Sequence, residues 1–399
     1  MTILRAAARF AACASVLALA ACNPMGGPAG LGGGAQQAGA PAQQVNETIG
    51  AGPTKIGLII PLTGGAGQAA VGASLRDAAK LAYADSGASD VSILVKDDQS
   101  TPAGASAATQ AALSEGAEII LGPVFAQNVR EASRVARGAN RPLIAFSTDA
   151  TVGGGNTYLL SFLVEGYVER DIAYAAERGK TSIAALVPEN EYGTLALAQF
   201  QQSAANHGIR VPLIERYKPG AAAESIKRLA ASRDQFDALF IPEQADSMSQ
   251  ISKELTANNL DSKKVQIIGT GLWNDPRALG LPALQGAWFS APENAGFNAF
   301  AQRYKAKFGA QPTRIATLGY DAVSLAIALS RAQGASRFAP GVLTNPSGFN
   351  GADGIFRFRP DGGNDRGLSM LEINEGGAKI MSPAPRSFPA NYRCAERVT

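Results

Sequence analysis

The side chains that could break bonds are few and poorly placed for it. The only histidine, His207, stands in Ala-Asn-His-Gly, a helix-ending sequence in which capping is the ordinary role of an imidazole. Without a second histidine or a cysteine cluster no zinc site can be assembled. No Gly-x-Ser-x-Gly elbow and no Ser-x-x-Lys pair is present to activate a serine. Gly65-Ala66-Gly67-Gln68-Ala69-Ala70 follows an apolar run and formally fits the dinucleotide fingerprint. Its acidic partner, Asp97 or Asp98, stands about 30 residues on, where the motif has it about 20 on. A NAD-binding oxidoreductase is therefore one reading, supported by a single motif in a chain rich in alanine and glycine. The full Gly-x4-Gly-Lys-Ser/Thr pattern of a nucleotide-triphosphate loop is missing. The chemistry that remains is binding without catalysis, and no cofactor is expected.

Stretches suited to binding recur where apolar runs end. Residues 55–82 read as a strand, a glycine-rich turn and an amphipathic helix. The run 56–60 is continuously apolar, as in a strand covered on both faces of a parallel sheet. In open α/β sheets ligands sit beyond the carboxyl ends of the strands, where helix N-termini offer free N–H groups. The turn holding Gly64 and Gly65 is thus one candidate wall. Further strands are expected at 91–95, 118–121 and 142–146, with helices at 103–115 and 128–137 between them. The pattern then restarts, with a helix at 166–178, strands at 182–187, 209–216, 238–241 and 265–268, and helices at 194–206, 222–232 and 247–257. Two similar series of β and α elements imply two α/β domains. The region 294–332 reads as helical, and 354–358 with 368–373 reads as a late β-hairpin about the turn Pro360-Asp361-Gly362-Gly363.

Composition and targeting signals frame this core. The chain has 399 residues, 17% of them charged, and a formal net charge of +3. That length suggests two domains, and no basic run interleaved with aromatics predicts a nucleic-acid surface. Residues 1–22 read as a signal peptide: Arg5 and Arg9, a short apolar stretch, then Leu19-Ala20-Ala21-Cys22. The last four resemble the bacterial lipobox, which makes Cys22 the lipidated first residue of the mature chain. Cys13 is then removed with the signal, and Cys394 is left alone. Residues 23–53, rich in Gly, Ala, Gln and Pro, read as a disordered tether, whose roughly 30 residues reach about 100 Å when extended. Asn23 after the cysteine, by resemblance to Gram-negative lipoproteins, favours the outer membrane, with the protein facing the periplasm.

From 54 to 385 the order and spacing of several pieces are specific. IGLIIPLTGGAGQAAVGASLRDAAKLA, IILGPVFAQNVREASRVA, RPLIAFSTDATV, PENEYG, GTGLWND, TRIATLGYDAVSLAIAL and GADGIFRFRPDGG together resemble type I periplasmic binding proteins of the leucine/isoleucine/valine-binding kind. GTGLWND, YDAVSLAIAL and NPSGFNGADGIFRFRPDG also look like lipoproteins classed as penicillin-binding protein activators, which reuse this fold. The resemblance implies two Rossmann-like lobes with parallel central sheets, joined by a three-crossover hinge. Lobe one would hold 54–162 and 291–345, lobe two 163–290 and 346–385, and 386–399 would be a tail. A small solute, an amino acid or short peptide, would bind between the lobes, and closure would be a hinge motion.

Carried over from the family, the lobe-one loops that hold an α-carboxylate and ammonium match 124–127 and 146–149, hence Val124, Phe125, Ala126, Phe146, Ser147, Thr148 and Asp149. Phe125 and Ala126 stand near a usual serine and Asp149 near a usual threonine, and an aspartate beside a carboxylate repels it unless it faces the ammonium. In lobe two, Tyr192 matches the family's cleft tyrosine. Glu243 and Trp273 lie on the next strand-end loops and could offer a carboxylate for an amine and an apolar wall. The partners implied are a small solute, a membrane through the lipid, and either an ABC permease or, in the rival regulatory reading, a penicillin-binding protein.

Overall fold

The computed structural model describes residues 46–375 and 377–388. The signal segment, Cys22, most of the tether and most of the C-terminal tail with Cys394 lie outside them. Six strands form the first sheet: β1 Asn46–Gly50, β2 Thr54–Ile60, β3 Val91–Asp97, β4 Ile119–Leu121, β5 Leu143–Ala145 and β6 Thr157–Leu159, in the order β1-β3-β2-β4-β5-β6. All pair in parallel except β1. The helices between them are α1 Ala66–Ser86, α2 Pro102–Ser114 and α3 Ala126–Gly138. The apolar run of β2 splits by alternation. Ile56, Leu58 and Ile60 join the core that contains Leu75 and Ala79 of α1, while Ile59 joins the core under α2 and α3. A strand buried on both faces needs no polar positions, which is why its sequence shows none.

The second sheet is built the same way. Its strands are β7 Ile183–Pro188, β8 Ile214–Tyr217, β9 Ala238–Phe240, β10 Gln266–Ile268, β11 Trp288–Ala291, β15 Ser369–Asn374 and β16 Gly377–Ser382, in the order β16-β15-β11-β10-β9-β7-β8. Helices α4 Val164–Glu177 and α5 Glu191–Asn206 cover one face with Phe200 stacked on Phe240 at 5.0 Å. Helices α6 Ala223–Ala231 and α7 Met248–Ala257 cover the other. After the short α8 Pro276–Leu279 the chain returns to the first lobe, where α9 Asn294–Phe308 and α10 Ala316–Ala332 pack on α1. Phe300 and Tyr304 of α9 are buried there against Ala78 and Leu81. The one-turn α11 Pro340–Leu343 precedes a small antiparallel sheet of β12 Phe349–Gly351, β13 Gly354–Phe358 and β14 Asn364–Arg366.

Four expectations are corrected. Residues 46–50, assigned to the tether, form β1, which pairs antiparallel with the edge of β3 and carries Glu47 to Lys80 at 2.6 Å. A polar strand at a sheet edge has the composition of a linker, so its pattern hid it. The strand expected over 209–216 is confined to Ile214–Tyr217. The late hairpin is split. The Pro360–Gly363 turn joins β13 to β14, whereas β15 pairs with β11 and β16 in the second sheet. Finally, Phe356 and Phe358 enter the core shared by Ile56, Tyr158 and Leu318, and Gly362 accepts the Leu159 N–H at 2.8 Å. Strands β12 to β14 therefore pack on the first lobe, and the last passage to the second lobe falls at 367–368, not at 345–346.

Two acids, Asp321 and Asp353, are buried at the junction that this late sheet makes. Arg314 donates to both oxygens of Asp353, at 2.9 and 2.8 Å, and Thr317 also donates to Asp353. Asp321 of α10 is 3% exposed; its Oδ1 accepts the Ala352 N–H at 2.7 Å. Its Oδ2 lies against Gly351, where an added Cβ would stand 2.2 Å from it. Burial, only partly offset by the Ala352 bond and the Arg366 charge, pushes the Asp321 carboxyl up to about 7.

Two outcomes follow from this packing. Deleting residues 46–50 uncovers the ladder groups of β3 and the contact of Ile49 with the core. A scanning-calorimetry melt should drop by several degrees, and an unchanged melting temperature would show that β1 adds nothing. The folded chain keeps a proton on Asp321 through a pH range in which the unfolded chain has lost it. Its contribution to stability is therefore full below about pH 4 and falls as pH rises to about 7, by on the order of 4 kcal/mol at most. Urea melts of Asp321→Asn should lack this decline between pH 5 and 8, whereas a slope equal to the parent's would remove Asp321 as its source.

Candidate functional site

Because both sheets are covered on their faces, their open polar groups lie at the carboxyl ends of the strands. In the first lobe Asp97, at the end of β3, ties two of these loops together. Its Oδ1 accepts the N–H groups of Leu62 at 2.9 Å, Thr63 at 3.2 Å and Gln99 at 2.8 Å, and its Oδ2 accepts the Thr63 hydroxyl. Asp98 is held by the Asn128 amide and the Ser100 N–H. Both acids are thus spent on loop structure. Gly64 and Gly65 are exposed beside them. Gly64 has φ +126°, a backbone region that side chains rarely enter, and the Gly65 N–H is taken by Gln68 Oε1 at 2.9 Å.

The next two loops diverge in what they expose. Val124, Phe125 and Ala126 are half-buried, with Phe125 and Ala126 at the start of α3, which has no side-chain cap. Thr148 is exposed and Ser147 is 4% exposed, its hydroxyl accepting the Asp149 N–H at 3.1 Å. Phe146 is corrected as a ligand contact, because its side chain is core and its backbone is bonded to Pro123 and Ser161. Asp149 accepts from the Thr151 N–H and hydroxyl and meets Arg130 of α3 at 3.2 Å. The repulsion expected toward a carboxylate is thereby offset by a local cation.

In the second lobe Tyr192 stands in the first turn of α5, after an Asn190 cap that accepts the Gly193 N–H at 2.7 Å. The Tyr192 hydroxyl bonds to Thr270 Oγ1 at 2.8 Å, in the loop after β10, and burial holds its pKa above the ordinary tyrosine range. Trp273 is fully buried in the core under α6 and α7, with its indole N–H on the Glu243 carbonyl at 3.0 Å, so it is corrected as an apolar wall. Glu243 is itself buried. Its carboxylate accepts from the Tyr217 hydroxyl and the Gln244 N–H, and it lines a groove of about 290 Å³ with Tyr217, Asp246, Ser247 and Lys253. A carboxylate so engaged is not free for an amine, which corrects that expectation too. His207 caps α5, as its sequence implied, and its Nε2 meets Glu169 at 2.9 Å.

The structure also assembles residues that the sequence did not single out. Tyr167, near the start of α4, lies against Gly271. A Cβ at that glycine would fall 2.2 Å from the Tyr167 ring. Burial pushes the Tyr167 hydroxyl up to about 12, with the Arg314 and Arg366 charges opposing. Phe162, in the first passage between lobes, is flanked by Arg314 and Arg366, each 4.6 Å from its ring centre. The Arg366 Nε donates to the Ser161 carbonyl at 3.1 Å. Tyr192, Thr270, Gly271, Tyr167 and the two arginines thus form a contiguous polar row from the second lobe's strand ends to the junction. Of these only Tyr192 was singled out from the sequence; the others stand in separate stretches that give no sign of the row.

With this geometry in view, comparison with known proteins places the chain. Among curated protein sequences nothing matches it. Solved structures do. A protein assigned to branched-chain amino acid ABC transport from Rhodospirillum rubrum superposes with a TM-score of 0.73 at 19% identity, over 82% of this chain and 99% of that one. A solute binding protein of an ABC transporter from Rhodopseudomonas palustris, in complex with 3,4-dihydroxybenzoic acid, gives 0.61 at 21%, over 84% and 97%. A branched-chain amino acid transporter substrate binding protein from Streptococcus pneumoniae, in complex with isoleucine, gives 0.57 at 20%, over 83% and 99%. These share the two-lobed fold. A family model described as periplasmic binding protein matches residues 53–378, across both lobes. The chain belongs to the periplasmic binding protein family, in its type I, leucine-binding architecture.

Proposed function

We propose that this chain is a lipid-anchored solute-binding protein that holds a small organic acid, an amino acid or a similar carboxylate, between its lobes and delivers it to an ABC permease without altering it. The observation that carries this reading is the unbroken family match over 53–378, which leaves neither lobe outside it. The ligands named for the structural relatives support the substrate class, since isoleucine, leucine, benzoate and 3,4-dihydroxybenzoic acid are all small carboxylic acids. Anchoring rests on Leu19-Ala20-Ala21-Cys22, and outer-membrane placement on Asn23.

A second reading, a regulator of peptidoglycan synthesis that contacts a penicillin-binding protein, is favoured by the first lobe's loops. Ser147 is buried and Asp149 is committed to Thr151 and Arg130, so the expected hydroxyl cradle is reduced. An anchor in the outer membrane would also place the protein opposite a permease in the inner one. A thermal-shift screen of the full chain against amino acids and benzoates separates the two. A ligand at about 100 times its Kd stabilises the native state by about 2.7 kcal/mol, so at least one acid should raise the melting temperature by several degrees. No shift with any of them, together with capture of a penicillin-binding protein by the immobilised chain, would replace transport with regulation.

A further inference from the structure

The residue that fits least well into a self-contained fold is Arg366. Its Nε is satisfied by Ser161, but Nη1 and Nη2 are sealed from solvent and have no hydrogen-bond partner. An unpaired buried guanidinium is costly, because charge in a poorly polarisable interior must be compensated by a counter-charge or hydrogen bonds. The acids around it, Asp353 and Asp321, act on it by charge without pairing with it. Asp353 is held in a two-point pair by Arg314 and also by Thr317. Asp321 gives one oxygen to Ala352, and its other oxygen, like the two Arg366 nitrogens, is buried without a hydrogen-bond partner. No acid of the described residues lies within ion-pair distance of Arg366. Its neighbour Arg314, similarly stacked on Phe162, shows what a satisfied arginine looks like at this junction.

The surroundings favour an anion that comes from outside. Arg366 acts electrostatically on Tyr167, and Tyr167 abuts Gly271, in the loop that bears Thr270 and its partner Tyr192. Tyr192, Thr270 and Tyr167 lie where the strands of the second sheet end, beside the passage at 160–163, the edge at which open α/β sheets take their ligands. A guanidinium presents two parallel N–H groups that match the two oxygens of a carboxylate. The first lobe, by contrast, offers a buried Ser147 and a capped Asp149.

We propose that the two terminal nitrogens of Arg366 are the carboxylate anchor of this binding protein, at the floor of the cleft beside Tyr167. This rests on the solute-binding reading above and adds the residue that fixes the ligand's acidic end. The anion completes a half-made set of hydrogen bonds, so the site prefers acids to neutral isosteres.

Calorimetric titration of the full chain with L-leucine, benzoate, leucinamide and benzamide tests it. The parent should bind at least one acid and hold its amide at least about tenfold more weakly. Arg366→Gln should lower affinity for that acid about 10- to 100-fold while leaving the amide unchanged, so that the preference collapses. Arg366→Lys, a cation without the fork, should recover part of it. Unliganded melting temperatures should fall modestly in both variants, since the Ser161 bond and the stacking on Phe162 are weakened, without tracking the loss of acid affinity. If Arg366→Gln does not fold, Arg366→Lys decides by itself through an acid-to-amide ratio reduced severalfold. Acid affinity unchanged in these variants would overturn the anchor and leave solute binding standing. Acid and amide affinities falling together with the melting temperature would reduce Arg366 to a structural role. A parent that binds none of the four compounds would remove the anchor together with the reading beneath it.

Discussion

A parallel sheet covered on both faces can show its polar backbone only at its ends, and that constraint organises the whole molecule. Ile56, Leu58 and Ile60 look one way into α1 and α10, while Ile59 looks the other way into α2 and α3. Ile183, Ala185 and Val187 do the same in the second lobe against α4 and α5. Apolar side chains fill the layers, so groups able to recognise a solute collect in the loops after β2 to β5 and after β7 to β10. Asp97 and Asn190 then hold those loops in shape by accepting their N–H groups. The binding edge results from the way the layers are sealed.

Charge is admitted to the interior in both lobes, at Asp98, Asp171 and Glu243 among others, and at the junction between the lobes it is compensated unevenly. Arg314 with Asp353 is complete, both by geometry and by count. Asp321 meets the same environment by keeping its proton to about neutrality. Such groups stabilise weakly for the desolvation they require, and their position among the passages at 160–163, 292–293 and 367–368 links them to the relative position of the two lobes. An apolar junction would fit together more cheaply, but it would have nothing with which to distinguish an acid from a neutral molecule.

Much of the fold was legible because strands buried on both faces leave continuous apolar runs and amphipathic helices leave a period of their own, and the ordered family pieces fixed how the two lobes are arranged. What escaped did so for definite reasons. The strands β6 and β11 carry Thr157 and Ser290 within them, so neither shows the unbroken apolar run that gave away the equally short β4 and β5. The polar strand β1 borrows its stability from β3 and from Lys80, information that its own residues do not carry. Phe146 and Trp273 were picked for their places at strand ends, yet position along a strand does not tell on which side of the loop a side chain falls, and both point into cores. Arg314 and Asp321 lie in one stretch and Asp353 and Arg366 in a later one, and only the folded chain makes the two neighbours.

The seating of β13 on the first lobe ties the beginning of the domain to its end. Ile56 and Phe358 share one core, and Leu159 is bonded to Gly362, across nearly the whole second lobe. Contacts so remote along the chain are slow to form, because the loop between them must close first. The earlier-made half therefore waits, with part of its apolar interior uncovered, until almost the last residues have been synthesised. A chain interrupted between β11 and β14 loses a piece of both halves, and quality control would meet it as two unfinished bodies, neither of which is an intact domain with a missing tail.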